Sequence, residues 1–261
     1  MATFLFIDDD LRYQYTKLYL RKKGHEILDY YIQNKVIDYI VLPIKGKEED
    51  ELFEYLVKEN LDKKYIIYNE TEYLKKIKNK YNLNYIYLKE DKEFNLINSK
   101  ATSECVLMFS IEVLPIILKE SKILILGYGN SAKELVNDYL HFTNNILVAI
   151  RRKEVQLELD ELKIKNINLI DLKDYIDKYD LIINTIPSLI LDEEMLRYVS
   201  PSSYILDIAS FPGGVDYKKA KEYGINAYLL PSLPSKFKPK SSGIEYAKAI
   251  ERGINKWRKS A

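Results

Sequence analysis

The chain has 261 residues, 47% of them hydrophobic, and its 40 basic and 39 acidic side chains leave a net charge of +1. That size suits two domains or one large one, and the balanced charge argues against a nucleic-acid-binding protein, which carries a basic excess. One cysteine, Cys105, excludes an intrachain disulfide and a cysteine-based metal cluster; no targeting signal precedes Asp8-Asp9-Asp10 and no apolar run nears the roughly 18 residues that span a membrane, so a soluble, cytoplasmic protein is expected.

In chain order, Thr3 to Ile7 reads as a buried strand, with Asp10 capping a helix from Leu11 to Lys23 that Gly24 ends. Strands follow at Glu26 to Tyr30, Ile37 to Leu42, Lys64 to Tyr68 and Asn84 to Leu88, and helices at Glu49 to Glu59 and Thr71 to Tyr81. Strands alternating with helices predict a parallel sheet covered on both faces. Asn98 to Glu104 is polar and leads into an apolar helix, about Ser103 to Leu118, read as a bridge between two lobes. The second lobe begins at Ser121. It has strands at Lys122 to Leu126, Ile146 to Ile150, Ile167 to Ile170, Asp180 to Asn184, Ser203 to Asp207 and Asn226 to Leu229. Helices are predicted at Ala132 onward, Glu154 to Lys163, Leu172 to Tyr179, Asp192 to Val199 and Tyr217 to Tyr223. Pro231 to Lys240 reads as a loop, and Ser241 caps a last helix, Gly243 to Arg258, expected to pack on the first lobe.

The fold class is therefore α/β, with two Rossmann-like, doubly wound parallel-sheet lobes joined by a bridging helix. The expected domains are an N-terminal flavodoxin- or Rossmann-like substrate lobe (1–100), the bridging helix (101–120), a cofactor-binding Rossmann domain (121–240) and a C-terminal helix (241–261).

The most informative stretch is Leu126-Gly-Tyr-Gly-Asn-Ser-Ala132. Gly127, Gly129 and Ala132 stand at the spacing G-x-G-x-x-A between a strand and a helix. Gly127 permits the sharp turn, Gly129 lets a pyrophosphate approach the backbone, and Ala132 lets the helix pack close to the strand. The helix start, with Asn130 and Ser131, presents free N–H groups to phosphate. The first lobe opens with the same strand-turn-helix-strand pattern, but carries Asp8 and Asp9 where glycines would be needed, so only the second lobe is expected to hold a dinucleotide.

After the second strand of that unit stand Arg151, Arg152 and Lys153, with no acid before Glu154. A carboxylate there suits the ribose of NAD, whereas arginine suits the 2′-phosphate of NADP, and NADP is favoured over NAD. Asn184, Thr185, Ile186 and Pro187 would border the nicotinamide side, with capping of the next helix as the alternative. Asp207 and Ser210 end a later strand, and Gly213 and Gly214 would let the backbone approach a ligand. Lys236, Lys238 and Lys240 suit an anionic substrate. His25 and His141 fall on the amino-end side of the strands and neither is assigned; no metal set is found.

The motifs Asn184-Thr-Ile-Pro187, Asp207-Ile-Ala-Ser-Phe-Pro-Gly-Gly-Val-Asp216, Leu230-Pro-Ser-Leu-Pro234 and Pro239-Lys240-Ser-Ser-Gly243 follow one another in order. Together with Asn98-Ser99, Thr102, Glu104 and Gly127-x-Gly129, they resemble the dipicolinate synthase A-subunit family over roughly residues 95 to 255. The resemblance implies a dehydrogenase subunit that oxidises 4-hydroxy-tetrahydrodipicolinate with NADP during sporulation, beside a flavoprotein-like second subunit. It also implies a fold similar to the 2-hydroxyacid and alanine dehydrogenases. In that frame Lys240 binds a carboxylate of a small dicarboxylate substrate, while Asn98, Ser99, Thr102 and Ser210 orient its ring. Glu104 and Asp207 are the general-base candidates by position. The chain departs from the family pattern at Asp8 and Asp9, at Phe211 where a basic residue is usual, and at Ser232, Ser235 and Cys105. Two alternatives follow: an NADP-binding structural or regulatory subunit, and a dehydrogenase of another small carboxylic acid. The abundant tyrosines are candidates for a homo-oligomer interface but do not locate one.

Overall fold

In the computed structural model, residues 1–8 and 10–260 are described, and they form two compact units. The first comprises Met1–Asn98 with Ser235–Ala261, and the second Ser99–Pro234. Asp9 lies outside the described residues.

The first unit is a five-stranded parallel sheet of β1 (Thr3–Phe6), β2 (Glu26–Leu28), β3 (Tyr39–Val41), β4 (Lys64–Ile67) and β5 (Asn84–Tyr87), in the order β2-β1-β3-β4-β5. This is the flavodoxin-like variant of the doubly wound sheet, with its switch point between β1 and β3. Because successive side chains on a strand point to opposite faces, each strand feeds two cores. Phe4, Phe6 and Ile66 pack on one face with Tyr13 and Leu20 of α1 (Leu11–Lys22). Leu5, Ile40, Tyr65 and Ile67 pack on the other with Phe53, Leu56 and Val57 of α2 (Glu51–Lys58) and Leu74 and Ile77 of α3 (Glu72–Tyr81). Each such fully buried side chain contributes about 1.5–3 kcal/mol by leaving water.

The first strands and helices match the predicted ones to within a few residues, and Asp10 caps α1 through Arg12 N as expected. The long helix does not match. α4 runs from Lys92 to Val113, so it starts eleven residues before the predicted Ser103 and stops before Leu118. Its start is fixed by Asp91, whose carboxylate accepts from Phe94 N at 2.8 Å. Its end precedes Pro115, which lacks the N–H that the helix needs. Asn98 to Glu104 is thus helix interior, not a lead-in.

The second unit is a six-stranded parallel sheet, ordered β11-β10-β9-β6-β7-β8. The strands are β6 (Ile123–Leu126), β7 (Ile146–Ile150), β8 (Asn166–Asn168), β9 (Leu181–Asn184), β10 (Tyr204–Asp207) and β11 (Asn226–Leu229). Ile123, Ile125, Val148 and Ile183 face α5 (Asn130–Tyr139) and α6 (Lys153–Glu161), while Leu124, Leu126, Ala149 and Ile182 face the opposite layer. That opposite layer includes Leu196 of α7 (Glu193–Leu196) and Ala220 of α8 (Tyr217–Glu222). The predicted helix at Leu172 to Tyr179 is instead two short 3-10 turns, Leu169–Asp174 and Ile176–Lys178, and the preceding strand ends at Asn168, whose side chain caps the first turn.

The predicted loop at 231 to 240 also differs. Leu233–Phe237 forms a short helix, α9, and α10 begins at Pro239 and runs to Ser260. Proline is tolerated in a first helical turn, where its missing N–H has no helical partner to lose. Within the first unit α10 lies against α1: Thr16 donates to the Gly243 carbonyl at 2.8 Å, and a Cβ at Gly243 would overlap the Arg12 carbonyl. Among the described residues no helix is long and apolar enough to cross a membrane.

Candidate functional site

In the second sheet the chain builds β6, β7 and β8 outward, then returns to place β9 on the other side of β6. A crevice opens beyond the carboxyl ends of strands at such a reversal. The glycine turn lies there. Gly127 has φ +93°, in the left-handed region, and a Cβ on it would stand 2.6 Å from Thr185 Oγ1 and 2.9 Å from Ile186 Cγ1. Thr185 in turn donates its hydroxyl to the Leu126 carbonyl at 2.8 Å and its backbone N–H to the same oxygen at 3.1 Å. The end of β9 is therefore stitched to the end of β6, and only glycine fits the turn.

Gly129 is different: nothing lies within 4 Å of where its Cβ would be. It is the N-cap of α5 in extended conformation, with no side-chain capping bond. α5 starts at Asn130, two residues before the predicted Ala132, and Ala132 is fully buried against the sheet core. By contrast α1, α2, α3, α7 and α8 are each capped by an Asp or Thr side chain. α6 resembles α5: its N-cap is Arg152, again with no side-chain capping bond. Arg151, Arg152 and Lys153 are all exposed at the end of β7. Two uncapped helix starts and three cations thus stand at neighbouring strand ends, and both kinds of group attract anions.

The next layer of the site is a buried hub. Asp207 is fully buried at the end of β10, and both its oxygens are occupied. Oδ1 accepts from Asn184 Nδ2 at 2.9 Å and Ala209 N at 3.0 Å; Oδ2 accepts from Gly214 N and from the Tyr217 hydroxyl, both at 2.6 Å. Asn184 also donates to the Ile186 carbonyl and accepts from Ile186 N. Burial pushes the Tyr217 pKa up, and its hydrogen bond to Asp207 and that carboxylate's charge push it further, so the phenol stays protonated. A general base needs a lone pair facing the reacting proton, and the two Asp207 oxygens already accept four bonds. The glycines of this loop serve the hub as well. A Cβ at Gly213 would stand 2.5 Å from Asp207 Oδ2, and one at Gly214 would overlap Asn184 Nδ2. The atoms that approach these glycines are the protein's own. Tyr217, which the sequence marks only as a helix start, belongs to this network.

Ser210, Phe211 and Pro187 are exposed at the same sheet edge, Phe211 at 84%. Ser99 and Thr102 are buried and Glu104 is exposed on α4. Asn98 and Lys240 belong to the first unit, Lys240 exposed in the first turn of α10.

At the switch point of the first sheet, the acidic turn is not a bare cluster. Asp10 accepts from Arg12 Nε at 2.8 Å and Nη2 at 2.6 Å, from Arg12 N at 2.9 Å and from Ser235 Oγ at 2.9 Å. Burial would raise its pKa, but the bonds and charge of Arg12, with help from Ser235, hold it below the usual carboxylate range.

Comparison with known proteins agrees with this architecture. Residues 112–235 match the shikimate/quinate 5-dehydrogenase family model. The A subunit of dipicolinate synthase from Bacillus subtilis is 32% identical over 158 residues, which are 60% of this chain and 53% of that relative, so the match spans about half of the relative's length. Among solved structures, the A subunit of dipicolinate synthase from Bacillus halodurans superposes with a TM-score of 0.86 at 22% identity, over 96% of this chain and 97% of that one. The D-lactate dehydrogenase of Escherichia coli superposes with a TM-score of 0.70 at 10% identity, over 98% and 97%; at such identities the likeness is one of fold. The chain is thus similar in sequence, over part of its length, to the dipicolinate synthase A subunit of Bacillus subtilis, and it shares the fold of the solved A subunit.

Proposed function

We propose that the second unit binds a nicotinamide dinucleotide, NADP in preference to NAD, and that the chain is the dehydrogenase subunit of a dipicolinate synthase. The observation that carries the reading is the glycine turn at the switch point, where Gly127 packs on Thr185 and Ile186 while Gly129 leaves open space before an uncapped helix. The residues present fit the cofactor. The N–H groups of Asn130 and Ser131 would receive the pyrophosphate, and Arg151 and Arg152 the 2′-phosphate through charge-assisted forks. When bound, the cofactor supplies the hydride acceptor.

The chain's own part is to place and neutralise the substrate. In this reading the substrate is the cyclic dicarboxylate 4-hydroxy-tetrahydrodipicolinate. Lys240 holds a carboxylate, and Asn98, Ser99, Thr102 and Ser210 orient the ring. With Asp207 fully engaged by its four donors, Glu104 is the better candidate to take a proton. Asn184, Thr185, Ile186 and Pro187 act by fixing the shape of the loop beside the glycine turn. A flavoprotein-like second subunit completes the synthase in a sporulating cell's cytoplasm, and the exposed tyrosines offer a surface for self-association. The test is NADP-dependent dipicolinate formation by the chain together with that second subunit; NADPH binding in the complex without turnover would contradict a catalytic role.

One observation favours a second reading. The strand-end carboxylate Asp207 is locked in a structural hub, which suits a subunit that binds NADP and organises a complex without performing the chemistry. A dehydrogenase of another small carboxylic acid would show turnover with a different acid and none with this one.

A further inference from the structure

We propose that Arg12, at the switch point of the first sheet, binds a carboxylate through the edge of its guanidinium that faces away from Asp10. This deepens the reading of the chain as an oxidoreductase of a small dicarboxylate, and rests on it. Arg12 sits in the first turn of α1, directly beyond the carboxyl end of β1. Ligands of doubly wound sheets gather at such a reversal, here between β1 and β3.

The arginine is half committed. Nε and one Nη2 hydrogen hold Asp10, whereas Nη1 donates to none of the described residues. Arg252, in the same unit, is a useful contrast. Its Nε and Nη2 hold Asp91, Nη2 also reaches Glu245 at 2.8 Å, and Nη1 reaches Glu93 at 2.9 Å. One guanidinium can therefore serve several carboxylates here, and Arg12 serves one. Its side chain is only 10% exposed, so a donor edge in these surroundings is largely stripped of water and binds an anion more strongly than a surface arginine would.

The surroundings suit a planar acid. Tyr246 stacks on Tyr13, the residue after Arg12, with ring centroids 5.8 Å apart, and Tyr68 packs against the same cluster. Ser242, one helical turn before Tyr246, is fully buried, with an Oγ that has no hydrogen-bond partner among the described residues. The Asp10–Arg12 pair is neutral as a unit. Asp10 neutralises and aims the fork, and the free edge takes the ligand.

The test is calorimetric titration of the full chain with pyridine-2,6-dicarboxylate, alongside a separate NADPH titration. Arg12→Lys keeps the ion pair to Asp10 but loses the fork, and is expected to weaken dicarboxylate binding about tenfold to a hundredfold, with NADPH affinity unchanged. The double variant Asp10→Asn/Arg12→Gln removes both charges together, leaves no buried charge unpaired, and is expected to lose dicarboxylate binding while still binding NADPH. Wild-type affinity for the dicarboxylate in either variant, or no dicarboxylate binding by a wild-type chain that binds NADPH, would overturn the proposal. Failure of the wild-type chain to bind NADPH would count against the dehydrogenase reading instead.

Discussion

Thr185 closes over Gly127: its hydroxyl, donating to the Leu126 carbonyl, stands 2.6 Å from the point where a Cβ on that glycine would be. Two glycines two residues apart consequently have separable roles. Gly127→Ala meets both a left-handed φ and a side chain fixed by its own hydrogen bond, and is expected to lose about 1–3 kcal/mol of stability. Gly129→Ala meets nothing and should cost under about 1 kcal/mol, yet weaken NADPH binding by at least tenfold, because the methyl enters the space before α5. Denaturant melts and NADPH titrations of the two variants separate the effects.

Asp207 accepts four hydrogen bonds in full burial, so an uncharged amide cannot replace it. Asp207→Asn would turn an N–H₂ toward two of those donors and is expected to destabilise the chain by about 3 kcal/mol or more. Tyr217→Phe removes one donor and leaves three, and should cost about 1–3 kcal/mol. If Asp207 instead acted only as a base, Asp207→Asn would abolish turnover with its melting curve unmoved.

Two partly buried carboxylates contribute to the acid sensitivity of the first unit. Burial alone would raise the pKa of Asp10 and of Asp91, but bonds to Arg12 and Arg252 outweigh it and hold each below the ordinary carboxylate range. A pKa lower in the folded than in the unfolded chain means that the stabilisation is complete above the unfolded value, near 3.8. It is lost as pH falls through the lower folded value. The wild-type chain should therefore out-melt Asp10→Asn and Asp91→Asn by a constant margin from neutral pH to about pH 4, and the margins should shrink below that. Thermal melts across pH 7 to about pH 2.5 read this directly.

At Gly243 α10 runs close against α1, and a Cβ there would overlap the Arg12 carbonyl. Gly243→Ala must push the helices apart and is expected to cost about 1–3 kcal/mol. Gly24→Ala, with nothing within 4 Å but a φ of +84°, isolates the cost of conformation alone, about 1–2 kcal/mol. Comparing the two melts separates packing from backbone strain.

The central strands are legible in the sequence because they are short apolar runs buried on both faces, as at Ile123 to Leu126. The glycine turn is legible because its three small residues do local work. What escapes the sequence depends on partners far away in it. Asn98 to Glu104 reads as a polar lead-in to a helix, and only the Asp91 cap and the 22-residue length of α4 reveal it as helix interior. Asp207 looks like a base until Asn184 and Tyr217 arrive from other segments. Asp10 reads only as a helix cap, until Arg12 and Ser235, the latter 225 positions away, are found to donate to it.

The central claim is an NADP site built by the glycine turn and the cations after β7. Its most direct test is equilibrium titration of the full chain with NADPH and with NADH, repeated on Arg151→Ala/Arg152→Ala. Both arginines are exposed, so the melting temperature should hardly move. The wild-type chain is expected to prefer NADPH by at least about tenfold, from charge-assisted bonds to the 2′-phosphate, and the double variant to bind both equally. Equal wild-type affinities, or a preference that survives loss of both arginines, would contradict the claim.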